Sequence, residues 1–262
     1  MSHFHRGRSA NSLHARFLAV AGDELPRFRN RSDSVSRLEG FSDTAFGFAI
    51  TLLVVSLAVP NRFDELLRQL SGLPVFAVTF ALVATIWYGQ FVFFRRYAMS
   101  DFVTVVLTLL LLFVVLFYVY PLKFLFAVAF QTGGISFQER DVPTLFLIYG
   151  LGFASVSFVL ALLYAHAYRK RDELGLTEWE SVVTRLSVVG HLATAVIGLV
   201  SAGLAQVIPQ PATATVAGFI YFGVALPWFL IGRYQAKRAR ALARSRAVTL
   251  GQNSLDSERH PR

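Results

Sequence analysis

Cysteine is absent from all 262 residues. Its absence excludes structural disulfides, thiolate zinc sites, iron–sulfur clusters and a cysteine nucleophile together, and leaves the redox compartment open. Charge is scarce: 16% of residues are charged against 55% hydrophobic, and the mean hydropathy is +0.52. A soluble protein this apolar would have too little polar surface to cover itself, whereas hydrocarbon-facing helices need none. No glycine-rich phosphate loop, nucleophile elbow or zincin string is present, so the chain does not read as an enzyme. His166 and His191 have no carboxylate or second histidine at i+3 or i+4; they read as hydrogen-bonded structural residues, not a metal pair. Asp172, Glu173, Glu178 and Glu180 fall in a hydrophilic link and read as solvated charges.

What the chain does have is apolar runs of membrane length. They cover residues 41–59, 73–94, 102–120, 144–168, 186–208 and 213–231, each near the ~20 residues that a spanning helix requires. Their stops are physical: Pro60-Asn61, Arg95-Arg96, Pro121, Arg169-Lys170-Arg171 and Pro209-Gln210-Pro211. The expected fold is an all-α membrane protein with six transmembrane helices. Residues 61–71 are either a short amphipathic interfacial piece or a plain loop. Residues 122–130 are too short to span, so they extend the third helix or fold at the surface. Pro227 is expected to kink the sixth helix. The small residues Gly190, Ala195, Gly198, Ala202 and Gly203 permit close helix approach in the fifth.

The net charge of +9 would in isolation fit nucleic acid. Its distribution excludes that partner, because the cations flank the apolar runs and read as topology information. Residues 1–36, 95–101 and 169–185 and the tail hold most of the positive charge. Both termini are therefore expected to be cytoplasmic in a multi-pass protein of the cell membrane, with Arg62, Arg68, Lys123 and Arg140 outside against the trend. Three segments follow: a basic leader, 1–36, expected to be disordered and not a cleavable signal peptide; a six-helix domain, 37–232; and a basic tail, 233–262. The tail reads either as a partner for anionic lipid or as a solvated helical extension.

The start of the first run carries ionisable residues, Arg37, Glu39 and Asp43, which are costly at a membrane helix end unless paired. Asp43 shares a helical face with Phe46, Gly47 and Ile50, while Phe48, Thr51, Leu52 and Val55 form a second stripe roughly 140° away. Ser42-Asp43 fits an ordinary N-terminal cap, and the second stripe fits routine packing or lipid contact. Spacing alone identifies neither.

The string RLEGFSDTAFGFAITLLVVSL, residues 37–57, holds an Arg-x-x-x-Phe-Ser-Asp signature at Arg37, Phe41, Ser42 and Asp43. It resembles the first helix of prokaryotic members of the potassium channel family whose animal representative is lysosomal transmembrane protein 175. Trp87 and the LLLLFVVLFYVYPL stretch, residues 109–122, fit the same layout. The resemblance implies homotetramers of six-helix subunits, with helix one lining a central pore, potassium as the permeant ion and no cofactor. No Thr-Val-Gly-Tyr-Gly carbonyl filter occurs here, so selectivity would arise where rings of helix-one side chains narrow the pore. It assigns Phe48 to the constriction and Thr51, Leu52 and Val55 to the adjoining pore turns. Arg37, Phe41, Ser42 and Asp43 then serve packing between helices, with Ser42 and Asp43 bonded to helices two and three. Two departures stand out. Phe48 replaces the family's usual Ile or Leu, and Trp87-Tyr88-Gly89-Gln90-Phe91 stands where relatives carry a Trp followed after two residues by His-His. Gln90 can hydrogen-bond but not titrate. A proton-permeable channel, a secondary transporter and a non-conducting scaffold with a recruiting tail are the alternatives.

Overall fold

A computed structural model of the protein describes residues 28–32, 34–55, 62–129, 138–209 and 211–259. Regular structure among them is entirely helical: α1 Arg37–Val55, α2 Phe63–Leu70, α3 Leu73–Tyr97, α4 Phe102–Ala129, α5 Val142–Arg169, α6 Glu178–Val207, α7 Ala212–Phe219 and α8 Ala225–Arg259. Short 3-10 turns occupy Glu139–Asp141 and Ile220–Val224. Five stretches, Leu73–Tyr97, Phe102–Leu125, Glu139–Arg169, Glu178–Val207 and Ala212–Ala243, are long and apolar enough to cross a membrane. The 19 residues of α1 begin a further apolar stretch, whose expected remainder, residues 56–59, lies outside the described residues.

Residues Arg29–Phe229 form one compact unit. Within it α1 packs on α3 and α4, α4 on α5, and α5 on α6, which also meets α7 and the second 3-10 turn. The α5–α6 pair is held backbone to backbone. A Cβ at Gly150 would lie 2.6 Å from the Gly198 carbonyl oxygen and 2.6 Å from Ala202 Cβ, while one at Gly152, on the side of α5 facing α4, would enter the Tyr118 ring. Glycine at these positions is what permits the approach. Gly203, grouped with them on composition, faces open space. Ser201 Oγ donates to the Ala217 carbonyl at 2.8 Å and Gln206 Nε2 to that of Pro143 at 2.7 Å. The first bond ties α6 to α7 and the second ties the end of α6 to the start of α5.

Several boundaries differ from the sequence expectation. Pro121 does not end the third apolar run, because α4 continues past it to Ala129. The missing N–H frees one carbonyl a turn earlier, but Leu122 just beyond is buried, and Tyr149 donates its hydroxyl to the Pro121 carbonyl. Packing against α5 thus holds the helix through its weak point. At Pro227 the accommodation lies upstream: residues Ile220–Val224 wind as 3-10 before α8 begins at Ala225. The proline ring conflicts with the carbonyl of Gly223 in a regular α-helix. Residues 63–70 of the 61–71 piece are helical, with Phe63, Leu66, Leu67 and Leu70 exposed.

The leader expected to be disordered through residue 36 is built into this unit from Arg29. Arg31 N donates to the Arg95 carbonyl at 3.0 Å and Ser32 N to the same oxygen at 3.4 Å. Residues 1–27 lie outside the described residues. From Leu230 onward α8 belongs to a second unit. There Arg233, Lys237 and Arg240 follow at helical spacing around a cavity of about 650 Å3, and Arg238 Nη1 donates to Tyr234 OH at 3.2 Å.

Candidate functional site

The helix carrying the signature starts earlier than its apolar run. Ser36 precedes its first residue and accepts a hydrogen bond from Glu39 N at 3.1 Å through its Oγ, while its carbonyl accepts from Gly40 N at 2.9 Å. Ser36 is therefore the N-cap. The reading of Ser42-Asp43 as cap is corrected: both lie inside the helix, beyond its first turn. Their side chains are free to bond across helices instead.

Ser42 Oγ donates to Gln90 Oε1 at 2.5 Å in a buried contact, and Trp87 Nε1 donates to Asp43 Oδ1 at 2.8 Å. Both bonds reach α3; among the described residues neither side chain bonds α4, the helix expected to share them. Gln90 Nε2 is buried with no partner among the described residues, and such a group costs about 1–3 kcal/mol.

Glu39, Ser42, Phe46 and Ala49 are buried and recur at helical spacing, so one face of α1 is committed to the bundle. The opposite face is bare. Phe41, Phe48 and Leu52 are 56%, 65% and 59% exposed, and Thr44 and Thr51 between them are exposed too. Each threonine hydroxyl donates back to the carbonyl four residues earlier, to Gly40 and Gly47, at 2.8 Å. Their lone pairs remain outward as acceptors. A Cβ at Gly47 would meet nothing within 4 Å, which leaves room beside Phe48. Arg37 is exposed. Val55 is the last residue of α1, and its side chain lies outside the described residues.

Two polar clusters escaped sequence reasoning. Glu180, read as solvated, is 2% exposed. With Thr177 it closes a capping box at the start of α6, Thr177 Oγ1 accepting from Glu180 N and Glu180 Oε2 from Thr177 N. Glu180 Oε2 also accepts from Arg31 Nη2 at 2.7 Å and Oε1 from Arg29 N at 2.9 Å. Thr184 donates to the Glu180 carbonyl, so the Tyr97 hydroxyl, 2.7 Å from Thr184 Oγ1, is the donor in that pair. The Thr-x-x-Glu string was the available signal; it also explains why α6 begins at Glu178 and not near residue 186.

Asp101 forms the second cluster. It accepts from Thr104 N at 3.2 Å and from Thr104 Oγ1 at the start of α4. Its other oxygen lies 2.7 Å from His166 Nε2 and 3.3 Å from Lys170 Nζ. His166 thus does meet a carboxylate, 65 positions away along the chain, which no local spacing rule finds. Desolvation pushes the Asp101 carboxyl up, but the bonds from Thr104, His166 and Lys170 outweigh it and hold the group well below the usual carboxylate range. A depressed carboxyl stabilises the fold above its unfolded value and loses that contribution as pH falls through the folded one. Asp101→Asn is expected to cost about 1–3 kcal/mol near neutral pH. It should also flatten the acid limb of a thermal-denaturation series below about pH 4, the range in which the unfolded carboxyl titrates.

His191 is stacked on Tyr164 at 5.3 Å and meets Trp228 edge-on at 5.0 Å, while Trp228 Nε1 donates to Thr194 Oγ1 at 3.2 Å. No group of three or more His, Cys, Asp or Glu residues suited to a metal occurs among the described residues.

Comparison with known proteins places this geometry in context. The family model described as endosomal/lysosomal potassium channel TMEM175 matches residues 37–118. A curated protein of Marivirga tractuosa named "Potassium channel" is 34% identical over 232 residues, which are 83% of this chain and 94% of that protein. The crystal structure of a variant of the potassium channel MtTMEM175, in complex with a nanobody–MBP fusion, superposes with a TM-score of 0.70 at 32% identity. That match covers 81% of this chain and 98% of that one. A lysosomal potassium-selective channel TMEM175 homolog from Chamaesiphon minutus aligns at 23% identity with a TM-score of 0.48, over 78% of this chain and 96% of that one.

Proposed function

We propose that this chain, which belongs to the family of the endosomal/lysosomal potassium channel TMEM175, is a potassium channel subunit that conducts passively along α1. The relatives are named as potassium channels. The observation that carries the finer reading is the division of α1 into two faces. One is buried and tied to α3 by Ser42–Gln90 and Asp43–Trp87; the other leaves Phe48, Thr51 and Leu52 exposed among the described residues. A division into a packed and an exposed face gives α1 a fixed orientation and a free surface.

In this reading four subunits assemble in the cell membrane with both termini cytoplasmic and the bare faces converge on the axis. Apolar rings of Phe48 and Leu52 oppose a hydrated cation, because stripping its water is costly. Potassium holds water less tightly than sodium and so crosses such a ring at lower cost. Thr51 oxygens, whose hydrogens are turned back to Gly47, offer lone pairs in place of lost water. Nothing here requires a cofactor or a coupled ion, which separates the reading from a transporter.

The test is flux. Purified protein in potassium-loaded liposomes is expected to dissipate a potassium gradient without valinomycin, faster for potassium than for sodium, and without saturation or need for a counter-ion gradient. Flux that saturates and depends on a counter-ion would favour a transporter instead; no flux at all would remove conduction and leave a scaffold.

A further inference from the structure

Helix α2, Phe63–Leu70, divides cleanly about its axis. At about 100° per residue the positions of Phe63, Leu66, Leu67 and Leu70 fall within one arc of about 100°, and those of Asp64, Glu65, Arg68 and Gln69 fill the opposite side. All four apolar side chains are exposed, Phe63 to 74%, and the helix pairs packed on one another within the described residues do not include α2. A helix of 8 residues gains too little from its own backbone bonds to persist alone in water. Its apolar face therefore needs a partner.

The position of α2 in the chain identifies that partner. α3 starts at Leu73, just past Ser71-Gly72, and is long and apolar enough to cross a membrane. Three residue steps keep Leu70 within about 11 Å of Leu73, which is itself exposed. Pro74, in the first turn of α3, conflicts with the Leu70 carbonyl in an unbroken helix, and the chain turns at Ser71-Gly72 instead. So α2 does not simply prolong α3 out of the membrane. It stays within reach of the layer, roughly 5–10 Å deep, where hydrocarbon gives way to headgroups. The apolar face of α2 is thus continuous along the chain with a surface that already meets lipid.

The charges decide which lipid chemistry suits it. Arg62 and Arg68 balance Asp64 and Glu65 in number, and Arg62 Nε meets Asp64 Oδ1 at 3.3 Å. Without net charge α2 offers anionic headgroups no attraction, unlike basic amphipathic helices. We propose that α2 lies in the membrane–water interface, with Phe63, Leu66, Leu67 and Leu70 inserted at the boundary of headgroups and acyl chains irrespective of headgroup charge, and anchors the start of α3 at that depth. The anchor does not depend on α1 lining a pore.

Because the chain has no native cysteine, one introduced thiol carries a reporter without background. Full-length Leu67→Cys and Asp64→Cys proteins, each labelled with a nitrobenzoxadiazole fluorophore, are reconstituted in phosphatidylcholine vesicles. The label at position 67 is expected to emit to the blue of that at position 64 and to be quenched at least about threefold more by nitroxide-bearing lipid, since it sits below the headgroups. Aqueous iodide should show the reverse order, and both results should persist when phosphatidylglycerol is mixed in. Equal iodide quenching at the two positions overturns the proposal by leaving α2 in water. A label at position 67 shielded from both quenchers overturns it by placing protein, such as a second copy of the chain, on that face. Lipid contact seen only with phosphatidylglycerol overturns the uncharged interface. Should Leu67→Cys not fold, Leu70→Cys on the same face is read by the same outcomes. A failure of liposome flux would leave these readings unaffected, so the two proposals fail separately.

Discussion

Replacing Arg31 with Ala is expected to destabilise the protein by about 3–5 kcal/mol, the usual result of removing one partner from a buried charged pair. The two side chains are 9% and 3% exposed and 2.7 Å apart. Truncation would strand the Glu180 carboxylate and also free the carbonyls of Leu174, Gly175 and Arg96, all of which accept from the same guanidinium. Arg31→Lys is expected to recover little, because one ammonium with three donors cannot match a planar five-donor fork. In detergent, the melting temperature of Arg31→Ala should fall by roughly 10 °C or more. Glu180→Gln should also fall, since its single amide oxygen can accept from only one of Thr177 N and Arg29 N and its NH2 turns a donor toward the other. A melting temperature within about 2 °C of wild type for Arg31→Ala would show that the Arg31–Glu180 pair adds nothing beyond a surface ion pair.

The Arg31–Glu180 pair joins residues 149 positions apart, a contact no local pattern carries. Hydropathy found the apolar runs because hydrocarbon demands long uninterrupted stretches, a one-dimensional property. It missed the early start of α1 and of α6, where capping residues Ser36 and Thr177 govern and the first turns are polar. It ended the third run at Pro121, since proline's local penalty is visible in sequence while the packing of Leu122 and the bond from Tyr149 are not. Glu180 looked like a solvated charge, and His166 like a residue without a carboxylate, because their partners, Arg31 and Asp101, are remote along the chain. The signature residues were easier: Ser42 and Asp43 carry a recognisable string, and their polarity inside an apolar helix demanded partners. Which partners they found depends on how α1 and α3 are rotated against one another, which no spacing rule specifies.

Phe48→Ala is expected to raise potassium flux in liposomes by about tenfold or more, since each ~1.4 kcal/mol removed from a barrier is worth a factor of ten. Phe48 is 65% exposed on the face opposite Ser42, Phe46 and Ala49, so truncation removes little packing among the described residues. Stability should therefore change little while conduction changes much, and that separation is what distinguishes a pore position from a core one. If four Phe48 rings form the narrowest apolar ring, Ala widens it and lowers the cost of keeping water around the ion. Discrimination between potassium and sodium should fall together with the rise in flux, because selectivity in this arrangement comes from incomplete hydration. Phe48→Leu, which restores the residue type of the resembled family, should lie between wild type and Ala. Thr51→Ala, one turn further along, should leave total flux nearer to wild type while eroding the preference for potassium, because it removes oxygen ligands and leaves the apolar ring in place. Wild-type flux and ion preference in both Phe48→Ala and Thr51→Ala would mean that the bare face of α1 meets lipid, and the conduction path would then have to be sought along another helix.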